Sequence, residues 1–190
     1  MPGPVVLLGC PGSGKSRLAL ELALQEVNRT GYPLLIIDPA RAWNFQSYHH
    51  AETPDEVVTW LWGKRKHVAY TPMDPERDFE PLMRAARAGR QVILLIDELK
   101  FVLPSSRSMS LQFQLAVRLW RHADLPAIYA TTQCYLDAAR PLRAAVSRWM
   151  IFRCVDPGDL AHLAKDFRLD PARVEQLGPG EYLEVQRGFA

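Results

Sequence analysis

The chain is poor in lysine and cysteine and has no long apolar run. Of its 23 basic side chains, only Lys15, Lys64, Lys66, Lys100 and Lys165 are lysines. The formal net charge of +2 is too small for binding to a polyanion to be read from charge alone. The three cysteines, Cys10, Cys134 and Cys154, are odd in number and far apart. No C-x-x-C pair and no Cys/His cluster has zinc spacing, which argues against both a disulfide framework and a structural metal. No apolar stretch approaches the length that crosses a bilayer, and the N-terminus has no basic region followed by an apolar run and cleavage site. A soluble, intracellular chain is expected. Repeats, linkers and low-complexity segments are absent too. With 190 residues, 48% hydrophobic and 23% charged, the composition suits a single domain with a real core, residues 1–190.

What is present centres on Gly9–Ser16, GCPGSGKS. An apolar run, Val5-Val6-Leu7-Leu8, precedes it and a helical pattern begins near Lys15. Strand, glycine-rich loop, Lys-Ser and helix form the context in which G-x-x-x-x-G-K-[ST] is a phosphate-binding loop. Backbone N–H groups in such a loop point inward at phosphate oxygens, and the helix adds its positive dipole end. The nucleotide-binding set is therefore Gly9, Cys10, Pro11, Gly12, Ser13, Gly14, Lys15, Ser16 and Arg17. Lys15 is expected to reach the β- and γ-phosphates of ATP, and the Ser16 hydroxyl to sit on Mg²⁺. Cys10 is read as a small loop residue, not a nucleophile.

Downstream, Leu34–Ile37 is an all-apolar run of the kind a parallel sheet covered on both faces requires. Asp38 follows it and is read as opening a turn with Pro39. Residues 40–53 look irregular and aromatic-rich, and Trp43, Phe45 and Tyr48 are read chiefly as packing. A helix is expected over Asp55–Trp62, capped near Thr53 or Asp55. A strand is expected over His67–Thr71 and a helix over Phe79–Ala88, ended by Gly89. Lys64-Arg65-Lys66 is the one tight basic cluster.

Gln91–Glu98, QVILLIDE, is a buried-strand pattern ending in two acids. In phosphate-loop NTPases the first acid, here Asp97, holds Mg²⁺ through water. The second, Glu98, is then placed to polarise a water for attack on the γ-phosphate. Two acids in tandem favour hydrolysis. A helix over Leu111–His122 and a strand over Pro126–Ala130 follow, ending in Thr131-Thr132-Gln133. Gln133 is positioned to orient water or to report nucleotide state. Arg148–Arg153 reads as a strand, Asp159–Phe167 and Pro171–Leu177 as helices, and Glu181–Gln186 alternates like an edge strand.

GCPGSGKS, VILLIDE and YATTQ, with RWMIFR following, resemble the FtsK/HerA branch of the additional-strand ATPases over residues 4 to about 163. The resemblance implies an α/β fold: a P-loop NTPase three-layer sandwich with a mostly parallel central sheet, RecA/FtsK-like. It also implies a hexameric ring that moves double-stranded DNA without sequence preference, and an arginine presented in trans. Arg148 matches the family position best, followed by Arg143 and Arg121. The loop around Ser105-Ser106-Arg107-Ser108 and the 64–66 cluster are the candidate DNA contacts. A bare motor of this length looks most like the genome-packaging ATPases of tailless icosahedral membrane-containing phages, with a capsid vertex or membrane protein as partner. Its expected location is the host cytoplasm or the virion. Three other readings compete: a Zot-like phage assembly ATPase, a small P-loop kinase, and a slowly hydrolysing nucleotide-gated interaction protein.

Overall fold

The computed structural model describes residues 3–41, 48–63, 67–87, 91–102, 111–118 and 127–186. Trp43, Phe45, the 64–66 cluster, the 105–108 loop and Arg121 lie outside them. Eight strands are formed: β1 (Val5–Leu8), β2 (Leu34–Ile37), β3 (His49–Ala51), β4 (His67–Tyr70), β5 (Ile93–Ile96), β6 (Ala127–Thr132), β7 (Arg148–Ile151) and β8 (Leu183–Gln186). They make one sheet in the order β3-β4-β2-β5-β6-β1-β7-β8. Every pairing is parallel except the last, β7 with β8. β6 lies between the strand that feeds the glycine loop and the strand that ends in two acids, as the additional-strand arrangement requires.

The helices are α1 (Lys15–Thr30), α2 (Pro54–Trp62), α3 (Pro75–Arg87), α4 (Leu99–Val102), α5 (Leu111–Arg118), α6 (Arg140–Ala145), α7 (Pro157–Phe167) and α8 (Pro171–Glu175). Strand residues alternate between two cores. Val5, Leu7, Leu34, Ile36, Ile93, Leu95, Tyr129 and Met150 pack with Ala19, Ala23 and Val27 of α1. Val6, Leu8, Leu35, Ile37, Leu94, Ile96, Ile128 and Trp149 pack with α2, α3, α5, α6, α7 and α8. Both faces are covered, so the central strands β1, β2 and β5 read as unbroken apolar runs instead of alternating ones. The result is the expected three-layer sandwich.

Two local expectations are corrected. Residues 40–53 are not irregular throughout, because His49–Ala51 pairs in parallel with β4 as an edge strand. α3 begins at Pro75, a turn earlier than Phe79, since proline is tolerated in a first turn whose N–H groups have no intrahelical acceptor. Thr53 caps α2 as expected, accepting from the Glu56 N–H at 3.2 Å; the expected stop at Gly89 lies outside the described residues. Gly31 ends α1 in the left-handed conformation, its N–H donating to Val27 O at 2.7 Å.

Candidate functional site

Parallel strands all point their carboxyl ends the same way, and open α/β sheets bind ligands at that edge. The strand order brings the ends of β1, β5 and β6 together there, and each contributes one of the motifs. β1 runs into the glycine loop. The loop is tied to its neighbours by the main chain: Gly9 N–H donates to Thr132 O at 3.2 Å and Cys10 N–H to Arg153 O at 2.8 Å. At Gly9 a Cβ would sit 2.7 Å from the Phe152 Cβ, so the loop can leave β1 this close to β7 only with glycine there. Gly14 has φ of 97° and caps α1, a conformation that L side chains rarely adopt.

Lys15 is buried, and its Nζ donates to Cys10 O at 3.2 Å, closing the loop on itself. Burial pushes its pKa below the usual lysine value, and the facing Glu98 and Asp97 carboxylates partly oppose the shift. Ser16 Oγ donates to Asp97 Oδ1 at 2.8 Å. A hydroxyl and a carboxylate in contact form a hard-oxygen donor set suited to Mg²⁺.

One residue missed by sequence reasoning organises both acids. Thr131, fully buried at the end of β6, donates its hydroxyl hydrogen to Asp97 Oδ1 at 2.7 Å and accepts the Glu98 N–H at 2.8 Å. The signal was the first threonine of ATTQ, but its role depends on β6 lying beside β5. Glu98 has φ of 61°, in the left-handed region that costs a non-glycine residue about 1–2 kcal/mol. Its carboxylate accepts from Gln133 Nε2 at 2.8 Å and from the Gln133 N–H at 3.3 Å. Burial raises its pKa above the usual carboxylate value, while the Gln133 bonds and Lys15 pull it down. Gln133 therefore holds the acid itself. The turn carrying Gln133 is anchored by buried Asp159 of α7, which accepts from the Tyr135 N–H at 2.9 Å.

Among the described residues, Arg148 and Arg143 do not join this cluster within the chain. Arg148 is the first residue of β7, paired in register with Val5 at the start of β1, the sheet edge opposite the loop. Its guanidinium is 3.9 Å from Glu184. Arg143 donates to Ala138 O at 2.7 Å and lies 5.1 Å from the centre of the Tyr135 ring, so it serves its own chain's packing. Asp38 is buried at the end of β2; its N–H donates to Tyr70 O and its carbonyl accepts from Arg41 N–H, the turn-opening role expected of it. It lines a cleft of about 730 Å³ with Arg41, His50, Thr71 and Met73, away from the glycine loop.

No protein-family model and no curated protein sequence matches this chain. Solved structures do. The genome-packaging NTPase B204 of Sulfolobus turreted icosahedral virus 2, in complex with ATP-γ-S, superposes with a TM-score of 0.78, covering 97% of this chain and 92% of that one at 19% identity. The two chains share a fold. Two more distant structures share it. The pCW3 conjugation coupling protein TcpA gives a TM-score of 0.60 at 15% identity, over 97% of this chain and 58% of that one. VirB4 of Thermoanaerobacter pseudethanolicus gives 0.55 at 11% identity, over 98% and 89%. At these identities it is the P-loop ATPase fold that is shared. No described helix is long and apolar enough to cross a membrane.

Proposed function

We propose that this chain is an ATP-hydrolysing motor that translocates double-stranded DNA and packages a viral genome into a preformed capsid, working as a homo-oligomeric, hexameric ring. The observation that carries the hydrolytic part is the unbroken run of hydrogen bonds Ser16–Asp97–Thr131–Glu98–Gln133, built on three adjacent strand ends. The fold shared with B204, the DNA-packaging ATPase of Sulfolobus turreted icosahedral virus, supports the motor part.

In this reading the loop N–H groups and Lys15 hold the β- and γ-phosphates. Ser16 and Asp97 are the residues that would hold Mg²⁺, which when bound neutralises charge on the phosphate oxygens. Glu98 takes the proton of the attacking water, and Gln133 fixes where its carboxylate points. Among the described residues, neither Arg143 nor Arg148 supplies its own chain with a cation for the charge developing opposite Lys15. Arg148, on the far edge of its own sheet, can serve only a neighbouring subunit's site, as a trans-acting arginine would. DNA is gripped through its phosphates, with steep salt dependence, and the capsid vertex or a membrane protein completes the packaging machine.

The test is ATPase activity with and without double-stranded DNA, together with subunit mixing. Lys15→Ala and Arg148→Ala subunits should each be inactive, Arg148→Ala by roughly 10³-fold or more. Mixed, they should regain activity, because each lacks a different half of the shared site. DNA-insensitive turnover together with failed complementation would rule out the ring motor.

A further inference from the structure

The glycine loop has two sides, and only one has been given a function. Glu98 and Gln133 line a recess on the reacting side. On the other side a separate cleft of about 400 Å³ starts at Ser13 and Gly14 and runs between α1 and the β7–β8 edge, past Arg17, Phe152, Pro179 and Tyr182. We propose that this cleft is the nucleobase slot of the site, formed against Tyr182, and that it holds purine rings by stacking without reading their edges. This rests on the reading of the loop as an ATP site and extends it.

Direction gives the first argument. A nucleoside triphosphate lying along the loop with its γ-phosphate at Glu98 must leave its base on the side away from Glu98, and this cleft adjoins the loop there. Its volume falls within the roughly 300–1,000 Å³ usual for small-ligand sites.

Construction gives the second. The turn between α8 and β8 is docked onto the phosphate loop: Gly180 N–H donates to Ser13 O at 3.0 Å. A Cβ on Gly14 would lie 3.6 Å from the Gly180 Cα, ordinary contact distance, so turn and loop pack directly against each other. Tyr182 follows directly. Its ring leans on Phe152 at 5.3 Å and 40°, and it keeps 38% of its surface exposed. An aromatic ring braced from beneath and open above is a stacking platform. Ser13 Oγ, in the same cleft, is buried without a partner, a group left for a sugar or phosphate oxygen.

Specificity follows from which donors remain. In the docked turn the Gly178 N–H donates to Glu181 Oε2 at 2.8 Å, the Gly180 N–H to Ser13 O, and the Glu181 N–H to Gly178 O at 3.1 Å. These three main-chain donors are committed within the protein. The turn cannot use them to tell the acceptor pattern of guanine from that of adenine, and the charged side chains at the cleft, Arg17 and Glu21, are exposed on α1 and solvated, so in this proposal stacking area decides and both purines are accepted.

Calorimetric titration of the full chain with ATP, GTP and inorganic tripolyphosphate, each with magnesium, tests this. Tyr182→Ala should weaken ATP and GTP by roughly tenfold or more and leave tripolyphosphate unchanged, while Tyr182→Phe retains nucleotide affinity. Wild-type affinities for ATP and GTP should agree within about tenfold, where an edge-reading site separates analogues by roughly 10⁴. Unchanged ATP affinity in Tyr182→Ala, or an equal loss for tripolyphosphate, overturns the slot. An ATP preference of the edge-reading size overturns the stacking-only account. Wild-type protein that fails to bind tripolyphosphate, or a Lys15→Ala variant that binds it normally, overturns the phosphate-loop reading beneath.

Discussion

Replacing Glu98 with glutamine should stop hydrolysis and make the protein more stable. Both effects follow from one placement. Glu98 is only 9% exposed, and burial is the main cause raising its pKa, ahead of the Gln133 bonds and Lys15 that oppose it. A carboxyl whose pKa is higher folded than unfolded binds more protons in the native state between the two values. Stability then falls as pH rises through that window and stays lower at neutral pH, by about 1.4 kcal/mol for each unit of difference. A neutral isostere removes the penalty, and its amide oxygen can still accept from Gln133 Nε2. Lys15 loses the stronger of its two facing carboxylates, which offsets part of the gain, while Asp97 remains. Each kcal/mol recovered lifts Tm by about 2–4 °C at this chain length, so Glu98→Gln should melt higher than wild type at pH 7. The gap should close at acid pH, where the wild-type carboxyl is protonated in both states. Loss of the general base should lower kcat by roughly 10²–10⁴, or about 3–5 kcal/mol, with ATP affinity kept. Thermal unfolding across pH and a phosphate-release assay read both. A lower Tm at neutral pH would refute the claim that desolvation dominates, and unchanged turnover would remove Glu98 as the base.

Thr131→Val keeps shape but leaves the buried Glu98 N–H without an acceptor. Chemical denaturation should show a loss of about 1–3 kcal/mol, kcat should fall, and Thr131→Ser should restore both. Gly9→Ala drives a methyl to 2.7 Å from the Phe152 Cβ, so thermal melts should register about 1–3 kcal/mol of destabilisation from forcing β1 and β7 apart. Gln133→Leu removes the side-chain bond that lowers the Glu98 pKa, so the acid limb of kcat/KM should move to higher pH.

The central strands were legible because they are buried on both faces and so unbrokenly apolar; Leu34–Ile37 and Ile93–Ile96 needed no partner to be seen. His49–Ala51 carries no such run, and its strand character comes from pairing with β4. The phosphate loop and the two acids were legible because their chemistry lies in contiguous residues. Thr131 was not, since its hydroxyl matters only once β6 is inserted between β5 and β1. The docking of Gly180 on Ser13 joins the two ends of the chain, and no local pattern could announce it. Gln133 was expected to orient water or to report nucleotide state; its bond to Glu98 was not legible, because it exists only once β6 lies beside β5.

The site before nucleotide binds is held in an unfavourable electrostatic state, and the ligand should relieve it. Lys15 is a buried cation with a lowered pKa, so the native state binds fewer protons than the unfolded one between the two values, and stability rises with pH through that alkaline window. A bound polyphosphate adds several negative charges beside Nζ and favours the charged form. Its own acidic protons are already gone at about pH 9. Binding at that pH should therefore draw a proton from solution onto Lys15. Titrations of ATP in two buffers of different ionisation enthalpy measure that uptake directly. It should grow as pH rises into the alkaline range in which the lowered Lys15 pKa falls, and fade as pH drops. Lys15→Arg, whose guanidinium never deprotonates, should abolish it. Uptake that persists in Lys15→Arg would assign the proton to another group, and none at alkaline pH in the wild type would mean that burial does not govern the lysine at the centre of the loop.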